Sequence, residues 1–158
     1  MNALIICGFP GVGKTTAERK NRDTVDLEST GFHFKMETVQ DSYGAITIID
    51  TENKNWVQEY VDKICETAAR CGVNYVLVSS HKKVREELDA RAVPYIVVVP
   101  ESSLIDEYLG RYVKRGDSAA FIQKIYANWD KWLNEIEMNA PAIIHLKSGQ
   151  VLADLLPA

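Results

Sequence analysis

Cysteine is scarce. The 158 residues contain three, Cys7, Cys65 and Cys71. An odd count without metal-type spacing excludes a disulfide scaffold and argues for reduced thiols. Long apolar runs are also missing. None approaches the roughly 20 residues that a membrane-spanning helix needs. Residues 1–7 carry no basic leader and no cleavage site follows them, so no signal peptide is expected and the expected location is the cytoplasm. Positive charge is not in excess: 18 Lys and Arg stand against 22 Asp and Glu, for a net charge of −4. This balance argues against a membrane partner and against nucleic acid, while leaving room for a local basic cleft. No repeat, low-complexity tract or linker breaks the chain, so a single domain over residues 1–158 is expected. With 46% hydrophobic residues the chain is globular.

One stretch stands out, Gly8-Phe-Pro-Gly-Val-Gly-Lys-Thr-Thr16. It follows the apolar run Ala3-Leu-Ile-Ile-Cys7 and precedes a helix-like segment. Gly8, Gly13, Lys14 and Thr15 fill the fixed places of G-x-x-x-x-G-K-[ST]. Glycine permits backbone angles that a side chain forbids and lets the chain approach an anion closely. The N–H groups of such a turn point inward as a nest, at the positive end of the next helix. Lys14 adds a point charge within reach of β- and γ-phosphates, and the Thr15 hydroxyl is placed for Mg²⁺. The stretch predicts a nucleoside triphosphate site.

Buried parallel strands are expected near residues 3–7, 24–27, 74–79, 94–99 and 142–146, with helices between them. The basic residues Arg19, Lys20 and Arg22 on the first helix read as a solvated face, with extra positive field near phosphates as the alternative. Asp26 and Glu28, with Ser29, stand at the carboxyl end of the second strand. There they are placed for substrate contacts or Mg²⁺ support, since ligands of open α/β sheets lie beyond the strand C-termini. In residues 32–53, Phe32-His-Phe34 and Ala45-Ile-Thr-Ile-Ile49 are strand-like around a Ser42-Tyr-Gly44 turn, which suggests an inserted β-hairpin. Apolar spacings of three and four predict an amphipathic helix over 55–71. The third strand ends in Ser79-Ser80-His81. Ser80 and His81 are candidate substrate contacts, and His81 is equally a helix cap. A short final helix is expected over 150–156.

Arg111-Tyr-Val-Lys-Arg115 lies between Gly110 and Gly116. Arginines stabilise the charge that spreads over a transferring phosphoryl group, and flanking glycines are compatible with closure. A lid over about 110–117 is therefore expected, with Arg111 and Arg115 joining Lys14 as catalytic candidates. A solvated helix end is the plainer alternative. An Asn-Lys-x-Asp base-reading motif is absent, because Trp56 stands where Asn53-Lys-Asn55 would need the aspartate.

The order of these motifs, with Asn128-Trp-Asp-Lys-Trp132 and Leu146-Lys-Ser-Gly149, resembles the small nucleoside-monophosphate-kinase-like proteins of bacteriophage genomes. The resemblance covers most of the chain and is weakest over 32–53. It implies a three-layer phosphate-loop α/β fold with a five-stranded parallel sheet in the order 2-3-1-4-5. It also implies transfer of the ATP γ-phosphoryl to a nucleoside or deoxynucleoside monophosphate with Mg²⁺, and a host-cytoplasm location if phage-encoded. Gly8, Pro10, Gly11, Val12, Gly13, Lys14, Thr15 and Thr16 would hold ATP, helped by Arg111. Lys147, Ser148 and Gly149 would form the loop near adenine. Asp26, Glu28 and Ser29 would lie in the acceptor region, and Thr15 and Asp26 would serve the metal. Kinases of other small hydroxyl acceptors, and an ATP-binding regulator, remain open alternatives.

Overall fold

The computed structural model describes residues 2–157. Its centre is a five-stranded, all-parallel sheet: β1 (Leu4–Gly8), β2 (Thr24–Asp26), β5 (Tyr75–Ser79), β6 (Tyr95–Pro100) and β7 (Ile143–Leu146). Their order is β2-β5-β1-β6-β7. Counted along the chain, that is the expected 2-3-1-4-5. The middle strands are near-continuous apolar runs, and Ile5, Ile6, Cys7, Val76, Leu77, Val78, Val97, Val98 and Val99 are all buried. Neighbours in a strand point to opposite faces, so both faces of the sheet are covered. Cys7 belongs to this core, and burial pushes its thiol up to about 12. Cys65 is half-buried and Cys71 exposed.

The connections are α1 (Lys14–Lys20), α3 (Trp56–Ala68), α4 (Lys82–Ala90), α5 (Ile105–Arg115) and α6 (Ala119–Asn139). The α3 pattern buries Trp56, Val57, Tyr60, Val61 and Ile64 on one side, against β1, β5 and α4. The aromatic stripe of α6 is core: Ile125, Trp129, Leu133 and Ile136 are buried. Ser118 caps this helix, its hydroxyl accepting from Phe121 N at 3.1 Å. His81 caps α4, Nδ1 accepting from Lys83 N at 3.2 Å.

Residues between β2 and α3 fold apart from the main sheet. β3 (Phe34–Gln40) and β4 (Ile46–Glu52) pair antiparallel with each other, and Gly44 closes the turn at φ +83°. The expected hairpin is present. Phe32 and His33, read as strand, instead belong to a single helical turn, α2 (Thr30–His33). The register places Phe34, Met36, Ile46 and Ile48 on one face of the ribbon, all exposed. Its base is fixed by the buried Asn53. Nδ2 donates to Phe32 O at 3.1 Å and to Glu59 at 2.6 Å, and Asn53 N donates to His33 O at 2.8 Å.

Two further expectations change. The lid segment is not a free loop, because α5 runs unbroken through Gly110 to Arg115 and stops at Gly116, φ +85°. The final helix is a 3-10 turn over Leu152–Leu155. Among the described residues no helix is long and apolar enough to cross a membrane.

Candidate functional site

β1 is the strand at which the chain changes direction across the sheet. From it the chain goes first to β2 and β5 on one side, then to β6 and β7 on the other. Ligands of open α/β sheets bind at that point, beyond the strand C-termini. A cleft of about 660 Å³ lies there, within the size range of small-molecule sites. Its lining includes Gly8, Pro10, Gly11, Gly13, Lys14, Thr15 and Thr16 after β1, Leu27, Glu28 and Ser29 after β2, and Ser79 at the end of β5. Arg19, Arg111, Arg115, Phe121 and Val151 complete it. Four cationic side chains thus face the cleft against the single carboxylate of Glu28, in a chain whose net charge is −4. The acidic overall balance leaves a local basic cleft.

The turn after β1 is a backbone cradle. A Cβ on Gly8 would lie 2.9 Å from Val12 Cγ2 and 3.0 Å from Lys14 Cδ. Gly11 and Gly13 have φ of +90° and +96°, which only glycine adopts without strain. Gly13 then opens α1, whose first N–H groups have no partner within the helix. Lys14 folds back over this turn, Nζ donating to Gly8 O at 3.0 Å. Burial lowers its ammonium pKa, while Asp26 and Glu28 pull the other way. Val12 is core rather than lining, fully buried behind the turn.

Asp26 lies under the cleft. Thr15 Oγ1 donates to its Oδ2 at 3.1 Å. Oδ1 is buried and has no partner. Burial raises this carboxyl, as does Glu28, against Lys14 and the Thr15 hydrogen bond. A buried carboxylate oxygen normally has a partner. An orphan beside a hydroxyl, under a basic turn, fits a cation.

Tyr60 holds this edge of the cleft together, although the sequence marked it only as core. Its hydroxyl donates to Leu27 O at 2.5 Å and accepts from Ser79 N at 3.1 Å. It ties the ends of β2 and β5, where Glu28 and Ser79 enter the cleft. Ser80 and His81 do not line the cleft. Ser80 O accepts from Arg85 Nε at 2.9 Å, and the His81 ring meets Trp56 edge-on at 5.3 Å.

α5 supplies the other wall. Tyr112 Oη donates to Pro10 O at 2.6 Å. Arg111 donates to Gly11 O at 2.8 Å and to Gln150 O at 3.1 Å, with its guanidinium 4.2 Å above the Tyr108 ring. Arg111 is therefore engaged by backbone carbonyls. Arg115 is more exposed, held by Asp117 and 5.1 Å from the Tyr112 ring. Lys147, Ser148 and Gly149 lie outside the lining. Their turn reaches the cleft through Val151, against Gly13, and through Leu152 N, which donates to Val12 O at 2.8 Å. Arg19 is exposed, as expected of a solvated face, and also lines the cleft.

No family model and no curated protein matches the chain. Among solved structures, the tunicamycin resistance protein of Deinococcus radiodurans is similar, with a TM-score of 0.55 and 14% sequence identity. The match covers 97% of this chain and 91% of that one. The likeness shows a shared α/β fold over nearly the whole of both chains.

Proposed function

We propose that the chain is an ATP-dependent phosphotransferase of the phosphate-loop class, acting on a nucleoside or deoxynucleoside monophosphate. The observation that carries this reading is the glycine cradle of residues 8–13 with Lys14, closed by Arg115 and undercut by the Thr15–Asp26 pair. Cradle amides and Lys14 would hold the β- and γ-phosphates. Arg115 would face the transferring group, where a fixed cation offsets charge that grows in the transition state. Arg111 would act mainly by holding the cradle in shape. Thr15 and Asp26 would hold Mg²⁺, and the orphan Oδ1 supports that fit. Bound there, the ion would supply charge neutralisation between the phosphates. Leu27, Glu28, Ser29 and Ser79 would orient the acceptor. A monophosphate brings its own nucleophilic oxygen, so positioning suffices and no strong base is needed.

A second reading, a kinase of another small hydroxyl acceptor, has one observation in its favour. Asp26 lies under the cleft with Oδ1 unpartnered, and such a carboxylate, raised by burial, would take a proton from a hydroxyl. Mg-ATP with a panel of monophosphates and, separately, polyols tests both. The first reading expects ADP release that a monophosphate stimulates above the acceptor-free rate. Stimulation by polyols alone would replace it with the second.

A further inference from the structure

Among the described residues, large apolar side chains left in water gather on the β3–β4 ribbon. Phe34, Met36, Ile46 and Ile48 stand on one face, and Val39 and Ile49 on the other. β3 and β4 form a sheet of their own, without a third strand. A lone two-stranded ribbon is marginal in water and gains most from a cover on one face. The second face also carries the Lys35–Glu37 ion pair, at 3.8 Å, and suits solvent. The first face is different. Its register sets Phe34 beside Glu52, Thr38 beside Ile48 and Gln40 beside Ile46, with Met36 next after Phe34 on β3. The apolar side chains therefore form a stripe that starts on β3 at the base and crosses to β4 near the turn. Two-residue steps rise about 6.8 Å and strands lie about 4.8 Å apart, so the stripe leans roughly 20° from the strands.

We propose that a second copy of this chain docks on the stripe, face to face, as a two-fold dimer. The area fits. Phe34, Met36, Ile46 and Ile48 are 59, 74, 67 and 62% exposed. They leave roughly 450 Å² of apolar surface in water, the size of patch that marks an interaction site. Homodimer interfaces are about 65% apolar, so the stripe implies about 700 Å² per copy, close to the roughly 800 Å² per partner of a stable complex. The pattern fits too. A two-fold axis along the stripe lays each stripe on its own copy. The strands of the two ribbons then cross at about 40°, near the roughly 30° of aligned packed sheets. The same axis sends the two Glu52 carboxylates to opposite rims, so they do not oppose each other. A lipid surface fits less well, because Glu52 borders the stripe and anionic headgroups repel a carboxylate. Asn53 anchors the base through Phe32 and Glu59, which holds the ribbon in place for its partner. This interface needs no ligand and stands apart from the phosphotransferase reading.

Sedimentation equilibrium at micromolar concentrations tests this on the wild type, Met36→Glu, Ile48→Glu and Met138→Glu. The wild type should sediment at twice the mass of one chain. Met36→Glu and Ile48→Glu each put a carboxylate on the stripe, one from each strand. Each should raise the dimer dissociation constant at least about 30-fold, the scale of an interface hot spot. Met138 is exposed as well, but on α6, and Met138→Glu should leave the dimer unchanged. Both stripe positions face water in the single chain, so the variants should fold. Circular dichroism checks that, and either folded variant decides the outcome. A wild type that sediments as a single chain would overturn the proposal, and so would a dimer that both stripe variants leave intact. Flotation of a single-chain wild type with phosphatidylcholine vesicles would give the stripe to lipid and overturn it likewise.

Discussion

Gly11 occupies a position that the G-x-x-x-x-G-K-[ST] pattern leaves free, yet the fold demands glycine there. Its φ is +90°. A methyl group would lie 2.8 Å from Tyr112 Cε1 and 3.1 Å from Tyr108 Cδ2, both on fully buried rings. Left-handed backbone costs alanine about 1–2 kcal/mol. Overpacking against rings that cannot retreat adds roughly 1–3 kcal/mol. Gly11→Ala should thus cost about 2–5 kcal/mol. At about 2–4 °C per kcal/mol for a domain of this size, melting should drop by roughly 4–20 °C. Gly110→Ala is the internal control. Gly110 is inside α5, exposed, with open space around it. Alanine there should stabilise by about 0.5–1 kcal/mol without lowering turnover, because the helix is a fixed wall and not a hinge. Differential scanning calorimetry of both variants decides the matter. A Gly11→Ala variant that melts within about 2 °C of wild type would refute the docking of α5 on the cradle.

Other outcomes follow from the same geometry. Lys14→Ala should stay folded and lose at least about 100-fold in kcat, because it removes a cation from the reacting centre; wild-type turnover would end its phosphate role. Tyr60→Phe should cost about 1–3 kcal/mol in urea unfolding, since it leaves Leu27 O and Ser79 N without their partner. It should raise the acceptor KM more than the ATP KM, and equal changes would show that Tyr60 serves stability alone. His33 stacks on Trp56 at 3.9 Å, and burial, with Lys124 nearby, holds its pKa below the ordinary 6.5. The unfolded chain takes up the proton first, so stability at the hairpin base is full above 6.5 and declines as pH falls below it. Trp56 fluorescence should follow that decline, and His33→Gln should flatten it.

The main sheet was legible because its strands carry two signals at once, continuous apolar runs and helical spacing between them. The hairpin was legible from its turn, but Phe32 and His33 were not. Alternating aromatics look like a strand, and only packing of Phe32 against Tyr60, at 5.2 Å between rings, favours a helical turn. The cradle could be read because its glycine spacing constrains consecutive residues. The lid could not: two glycines around a basic run suggest a loop, while Tyr108 and Tyr112 pin that run into a helix through contacts about a hundred residues back in the chain. Tyr60 carried no local signal, since its hydroxyl bridges two strands far apart in sequence.

The central claim is that the γ-phosphoryl of ATP leaves for an acceptor held at Glu28, Ser29 and Ser79. ³¹P NMR of wild-type protein with Mg-ATP and a mixture of nucleoside monophosphates observes that transfer directly. The account predicts two nucleoside diphosphates for each ATP consumed, with matching loss of the monophosphate signal and no inorganic phosphate, and no such change in Lys14→Ala. ADP formed with an equal amount of inorganic phosphate and no loss of monophosphate, or no change at all, would contradict it.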